Sequence, residues 1–292
     1  MKINYQCLPC LVNQVVKVSM MIGVEDKEKL YHKVFKYLSS LDFKQTNPEI
    51  IGEVFKLIKE QTNNEDPYYN IRKYFNIMFL NQEIEFEKSI NESKDEFVSA
   101  IKYAVIANIV DFSPIKNKRP ENIFQHFNEL KQQPLTIYHN LQLLKDINKS
   151  KKLLYLGDNC GEICLDKILI KKIKKINPEL NIYFATRGAP VVNDSIEEDA
   201  YLVGINKYAT IINNGDYSLG TVLNKTSLEF NQIYQQADII ISKGQANFES
   251  LNEENKNIYF LLITKCDVIA NYLNTDINKL ICMKINSLQQ ID

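Results

Sequence analysis

Residues 153–166 read LLYLGDNCGEICLD. A short apolar run, Leu153 to Leu156, stops at a glycine, and the next residues are an Asp-Asn pair, a second glycine and a segment with helical spacing. A four-residue apolar run bounded by turn formers has the length and composition of a buried strand. Glycine at its end permits a tight turn and lets a ligand approach the backbone. The stretch therefore reads as strand, polar turn, helix, which is the repeating unit of a parallel α/β sheet.

Working outward from this unit, similar runs recur at Ile182 to Ala185, Ile211 to Ile212, Ile239 to Ile241 and Tyr259 to Ile263, with intervening segments long enough for helices. Six of the nine glycines, at 157, 161, 188, 215, 220 and 244, fall between these expected strands and helices. Before residue 150 the period changes. Val12, Val15, Val16 and Met20, and again Ile51, Val54, Phe55 and Ile58, recur at spacings of three and four, as in amphipathic helices. Helical patterns also cover Glu25 to Leu38, Tyr69 to Leu80, Asp95 to Ile109 and Leu135 to Leu144, with turn-rich breaks at Thr62 to Pro67 and Ser113 to Pro120. The expected organisation is an all-helical region, 1–149, followed by an α/β domain, 150–292.

The composition excludes several function classes. A formal charge of −1 over 292 residues gives no basic footprint for nucleic acid. No apolar stretch approaches the roughly 18 residues of a membrane span, and the start of the chain lacks the pattern of a signal peptide. The expectation is a cytoplasmic protein with a small-molecule partner, whose six cysteines are reduced thiols or ligands.

Polar clusters follow the strands directly: GDNCGE (157–162), RGAPVVND (187–194), SKGQANFE (242–249) and TKCD (264–267). Ligands of open parallel sheets bind outside the carboxyl ends of the strands, so these four segments are expected to converge on one crevice. Asp158, Asn159 and Asp194 offer oxygen ligands suited to a divalent ion such as Mg²⁺ or Mn²⁺. Lys243 and Lys265 supply positive charge, and Gly244 lets backbone N–H groups approach an anion. A cation beside lysines is the equipment of phosphoryl transfer, where charge on phosphate oxygens is stabilised electrostatically. Each piece has a plainer explanation, the Asp-Asn pair as a helix cap and each lysine as a solvated charge. Recurrence at four strand ends is what favours a site. Glu162 and Asp166, four apart on the helix after the first strand, are placed to share one face toward the crevice, or to compensate the helix dipole.

Together GDNCGEICLD, RGAPVVNDSIEEDA, GTVLNKTSLEF, ADIIISKGQANFESL and LLITKCDVIA resemble the motif series of the damage-control phosphatase family, and CLPC (7–10), DPYYNIRKYFN (66–76) and ANIVDF (107–112) resemble its prokaryotic branch. The resemblance covers nearly the whole chain in order. It implies a helical region packed on a Rossmann-like, mostly parallel sheet with helices on both faces. It also implies a metal-dependent phosphatase of sugar phosphates or damaged phosphometabolites, with Mn, Co, Ni or Mg as cofactor. Residue by residue, it implies metal ligation by Asp158, Asn159 and Asp194. Glu162, Lys243, Gly244, Gln245, Ala246, Asn247 and Lys265 become substrate contacts, with Asp158, Asp194, Glu162 and Lys265 in the chemistry. The chain departs from the family pattern at Cys160, where alanine is common, and in the GDYSLGT segment.

On the helical half, Asp66, Tyr68, Asn108 and Asp111 interrupt apolar patterns. Capping of the crevice with contacts to substrate hydroxyls, and internal hydrogen bonding, both fit them. Cys7 and Cys10 have the spacing of half a zinc site, which Cys266, His32, His126 or His139 would have to complete. Two rival functions stand beside the phosphatase: an S-adenosylmethionine-dependent carboxyl methyltransferase, for which residues 157–161 lack the expected GxGxG spacing, and a non-catalytic phosphometabolite-binding protein.

Overall fold

A computed structural model describes residues 1–110 and 122–284 of the chain. Seven strands form one sheet: β1 (Leu135–Tyr138), β2 (Lys152–Leu156), β3 (Asn181–Thr186), β4 (Thr210–Asn213), β5 (Ile239–Lys243), β6 (Ile258–Ile263) and β7 (Leu280–Lys284), in the order β1-β7-β6-β5-β2-β3-β4. The five strands from β6 to β4 are mutually parallel. β7 runs antiparallel to β6, and β1 pairs parallel to β7. This is the mostly parallel α/β architecture expected from the apolar runs.

The chain order around β2 creates a switch point. From β2 the chain steps outward to β3 and β4, then returns to place β5 on the other side of β2, with Leu156 opposite Ser242. The loops after β2 and β5 thus leave the same end of adjacent strands in opposite directions and open a crevice between them.

Strand composition follows from burial on both faces. Leu153 and Tyr155 of β2, Ile239 and Ile241 of β5 and Tyr259, Leu261 and Ile263 of β6 enter one core. The intervening Leu154, Leu156, Ile240, Ile258, Phe260 and Leu262 enter another, as the two-residue period of a strand requires. The first core is covered by α9 (Glu162–Ile176) together with α4 (Tyr69–Leu80) and α6 (Glu96–Ile106) from the helical half. The second is covered by α11 (Leu228–Gln236), α12 (Gly244–Leu251) and α13 (Asp267–Tyr272).

The remaining helices are α1 (Leu8–Met21), α2 (Lys27–Ser39), α3 (Asn47–Thr62), α5 (Glu83–Asn91), α7 (Ile123–Lys131), α8 (Asn140–Lys149) and α10 (Glu197–Val203). α1, α2 and α3 form a third core with Val191 and Val192 of the loop after β3. α3 begins at a capping box in which the Thr46 N–H donates to Glu49 and the Glu49 N–H donates to the Thr46 hydroxyl. It approaches the α/β half so closely that a Cβ at Gly52 would lie 2.9 Å from the Ser218 Cα. Among the described residues no helix is long and apolar enough to cross a membrane.

The structure corrects the sequence expectation at Leu135–Tyr138. These residues form an edge strand rather than the first turn of a helix, and α8 starts only at Asn140. β7 was also unanticipated. The return from β6 to β7 passes through α13; after it Asn274 and Asn278 both take left-handed backbone conformations, and the Thr264 hydroxyl donates to the Asp276 carbonyl and accepts from the Lys279 N–H. The break expected at Ser113 to Pro120 lies outside the described residues.

Candidate functional site

Asp158 and Asn159 lie in the turn between β2 and α9, and Asp194 in the loop after β3. The two loops are zipped by backbone bonds: the Ser195 N–H donates to the Asp158 carbonyl at 2.8 Å, and the Cys160 N–H donates to the Asn193 carbonyl at 2.9 Å. Asn159 and Asp194 thereby sit opposite each other as an isolated antiparallel bridge. Gly161 turns the chain into α9 with φ of +82°, and its N–H donates to Oδ1 of Asn76 on α4 at 2.7 Å. Asn76 also donates to Asp199, which accepts from Arg72, which in turn bonds Asp66. The DPYYNIRKYFN segment is thus the clamp that holds the two site loops from the helical side.

The Asp158 carboxylate points across the switch point to the start of α12. Gly244 there has φ of +79°, and a Cβ on it would fall 1.8 Å from Oδ2 of Asp158. Only glycine accommodates both the backbone conformation and the approach. Oδ2 of Asp158 accepts from Asn108 at 2.9 Å and Asn159 at 2.8 Å. Arg187 donates through Nε to Asp194 at 2.6 Å and through its guanidinium to Oδ1 of Asp158 at 3.5 Å, so one cation spans both carboxylates. Burial, followed by the charges of Asp194 and Glu162, pushes the Asp158 carboxyl well above the usual carboxylate range, with Arg187 and Lys265 acting in the opposite direction.

A second polar group lies deeper. Glu162, at the start of α9, accepts from Asn108 at 2.8 Å, from the Asn159 side chain at 2.9 Å and from Lys243 at 2.5 Å. Lys243 is fully buried and donates also to Asp166 at 2.6 Å and to the Ala104 carbonyl at 2.8 Å. The Tyr155 hydroxyl completes the group by donating to Asp166 at 2.7 Å. Burial pulls Lys243 down, but the charges of Asp166 and Glu162 more than offset this and hold its ammonium above its ordinary range. Burial pushes Asp166 up to about 7, although Lys243 beside it acts to lower it.

Above Asp158, Asn159 and Asp194 opens a cleft of about 910 Å³. Lys265, Gln245 and Ala246 line it from the α/β half, and Gln6, Cys7, Cys10, Gln14, Asn47 and Ile51 line it from the helical half. The sequence-derived site residues therefore separate. Asp158, Asn159, Asp194, Gln245, Ala246 and Lys265 reach the cleft, whereas Lys243, Glu162, Asn108 and Asn247 are fully buried behind it. Asn247 donates to the carbonyls of Gly157 and Lys243 and accepts from Thr221, holding the loops after β2 and β5 together. Direct contact of Lys243 and Asn247 with a ligand is not what this geometry presents. Asp66 pairs with Arg72, Tyr68 packs on Phe55, and Asp111 lies outside the described residues.

Arg187 was missed as a site residue by sequence reasoning, although it opens the RGAPVVND segment and its charge between two acidic motifs was a usable signal. Cys266 does join Cys7 and Cys10 along the cleft, but among the described residues no group of three or more His, Cys, Asp and Glu side chains is arranged to hold a metal ion. Burial pushes the Cys7 thiol up to about 11 and raises Cys10 and Cys266 as well, which keeps all three protonated at neutral pH. The histidines are engaged elsewhere: His32 with Glu28, His126 with Glu129 and His139 with the Lys284 backbone.

The oxygen donors open to a divalent cation are two carboxylates and one asparagine amide. They suit a hard ion: Asn159 directs its amide N–H groups to Asp158 and Glu162, which reserves its carbonyl oxygen, and the carboxylates of Asp158 and Asp194, spanned by Arg187, converge beside it.

An open, mostly parallel α/β sheet with an acidic crevice at its switch point and a helical clamp on one side defines a Rossmann-like α/β fold. Within it, the damage-control phosphatase ARMT1-like domain matches residues 3–280, and the chain belongs to that family. It is 30% identical to a damage-control phosphatase from Pyrococcus horikoshii over 97% of this chain and 98% of that one. It is 28% identical to a damage-control phosphatase from Archaeoglobus fulgidus over 96% of this chain and 98% of that one. A crystal structure of a DUF89 family protein from Pyrococcus horikoshii superposes with a TM-score of 0.89 at 29% identity, covering 98% of this chain and all of that one.

Proposed function

We propose that this protein is a divalent-cation-dependent phosphatase that hydrolyses phosphate monoesters of small metabolites. The observation that carries the reading is the placement of Asp158, Asn159 and Asp194 together on the floor of the cleft, with Asp158 seated against Gly244. The names of the relatives support the same activity.

In this reading Asp158, Asn159 and Asp194 hold the cation, with Mn, Co, Ni and Mg as the candidates. When bound, the ion supplies Lewis-acid charge and lowers the pKa of a water molecule. Lys265, half-buried at the cleft, neutralises phosphate oxygens. Gln245 and Ala246 present the first backbone N–H groups of α12, which favour an anion at that helix end. Among the described residues lining the cleft none is aromatic, while Gln6, Gln14, Asn47, Gln245 and Glu249 provide amide and carboxylate groups. Ile51, Val192, Leu219, Val268 and Ile277 stand among them, and a wall without rings offers no stacking surface for a base. The N-terminal helices act as the cover of the site, with α1 and α3 and the residues just before α1 contributing its cleft residues Gln6 to Ile51.

The test is phosphate release from a panel of sugar phosphates by metal-stripped protein resupplied with Mn²⁺, Co²⁺, Ni²⁺ or Mg²⁺, beside Asp158→Ala and Asp194→Ala. Turnover that needs added metal and disappears in both variants is expected. Phosphate-ester binding without turnover under every metal would replace the enzyme by a binding protein.

A further inference from the structure

Glu162 has the chemistry of a general acid or base, yet its surroundings deny it that role. Its side chain is fully buried, and its carboxylate accepts four hydrogen bonds: from Lys243, Asn108, the Asn159 side chain and, at 3.4 Å, the Asn159 N–H. The amides of Asn108 and Asn159 each donate to both Glu162 and Asp158. Two asparagines therefore tie the buried carboxylate to the one on the cleft floor. Behind Glu162, Lys243 is held from three sides by Glu162, Asp166 and the Ala104 carbonyl, and Asp166 is held by Tyr155.

We propose that Lys243 and Asp166 are positioning residues: they fix Glu162, and through the bridging amides of Asn108 and Asn159 they hold Asp158 in its cation-binding orientation. The proposal rests on the metal-dependent reading above. A lysine at the end of β5 reaches Glu162 because Gly244, immediately after it, turns α12 away in a left-handed conformation. Asp166 reaches Lys243 because it lies one helical turn beyond Glu162 on the same face of α9. Outer groups that orient ligating side chains typically contribute 10- to 100-fold to metal affinity.

Charge alone makes a different prediction from positioning, and variants separate them. Removing Lys243 adds net negative charge near the site and removing Asp166 subtracts it, so pure electrostatics moves the affinity in opposite directions and leaves the double variant Lys243→Met/Asp166→Asn unchanged. Positioning requires the double variant, which has the charge of the wild type at pH 8, above the Asp166 titration, to lose affinity there.

The experiment is Mn²⁺ titration at pH 8 of metal-stripped wild type, Asp166→Asn, Tyr155→Phe and the double variant, followed by the electron paramagnetic resonance of free Mn²⁺, with circular dichroism to verify folding. The expected result is a Kd raised about 10- to 100-fold in the double variant and several-fold in Tyr155→Phe, which keeps all charges and serves if the double variant does not fold. A Kd for the folded double variant, or for Tyr155→Phe in its place, within twofold of wild type overturns the proposal. Absence of Mn²⁺ binding by the wild type instead overturns the metal-dependent reading on which it rests.

Discussion

Oδ2 of Asp158 lies where a side chain on residue 244 would begin, 1.8 Å from the position of a Cβ built on Gly244. The strand-end glycine and the acidic floor of the cleft are therefore one structural unit, although 86 residues separate them in the chain.

Gly244→Ala should consequently disable the site more than the fold. A left-handed alanine costs about 1–2 kcal/mol, and Asp158 must move to clear the methyl group. Displacement of about 1 Å at a reacting centre lowers turnover roughly 100-fold. Phosphate release together with a thermal melt checks this: a large loss of activity beside a small fall in Tm is expected.

Arg187→Met should make stability depend on added cation. It leaves Asp158 and Asp194 close together and buried without the guanidinium that spans them. Removing one partner of a buried ion pair costs about 3–5 kcal/mol. Melts with and without Mn²⁺ should show a lower Tm for the metal-free variant and a larger rise on adding metal than in wild type.

Asn76→Ala should loosen the clamp under the site. It removes the acceptor of the Gly161 N–H and one donor to Asp199, both in a fully buried setting. Leaving such groups unsatisfied costs about 1–3 kcal/mol each. Urea denaturation of metal-free protein reads the loss directly, and an unchanged midpoint would contradict the role given to this segment.

Asp166 gives a pH dependence with a defined sign. Its folded value, raised to about 7 by burial, lies above that of an unfolded aspartate, so the folded state binds the extra proton between roughly pH 4 and 7. Its contribution is fully present below the unfolded value and is lost as pH rises through about 7. The stability difference between wild type and Asp166→Asn should therefore fall steadily from pH 5 to pH 8, measured by urea unfolding of metal-free protein. A difference that grows with pH would reverse the assignment.

Much of the fold was legible because β5 and β6 are buried along their whole length and β2 from Leu153 onward, which demands continuous apolar runs, with a glycine directly after β2 and β5. β1 was not legible: LTIY lies at the sheet edge, alternates half-buried and exposed positions, and runs almost directly into the amphipathic pattern of α8. That Asp158, Asn159 and Asp194 converge on one cleft could be read from their places after strands. The burial of Lys243 could not, because a lysine after a strand looks the same whether it meets solvent, a ligand or two carboxylates on another helix. Its three partners come from α6 and from two successive turns of α9, and only packing brings them together.

The insertion of β5 beside β2 also bears on how the chain is made. β2 leaves a synthesising ribosome long before β5, and until then its hydrogen-bonding edge on that side has no neighbour and its apolar faces are only partly covered. Nor can Lys243 enter its buried position before residue 243 has emerged. A nascent or truncated chain ending near Gln236 therefore carries an open, sticky strand edge and an unneutralised acidic pocket, the features that recruit chaperones or lead to aggregation. The cleft is complete only after Lys265 and Ile277 have emerged, so a chain cut before them lacks part of its lining.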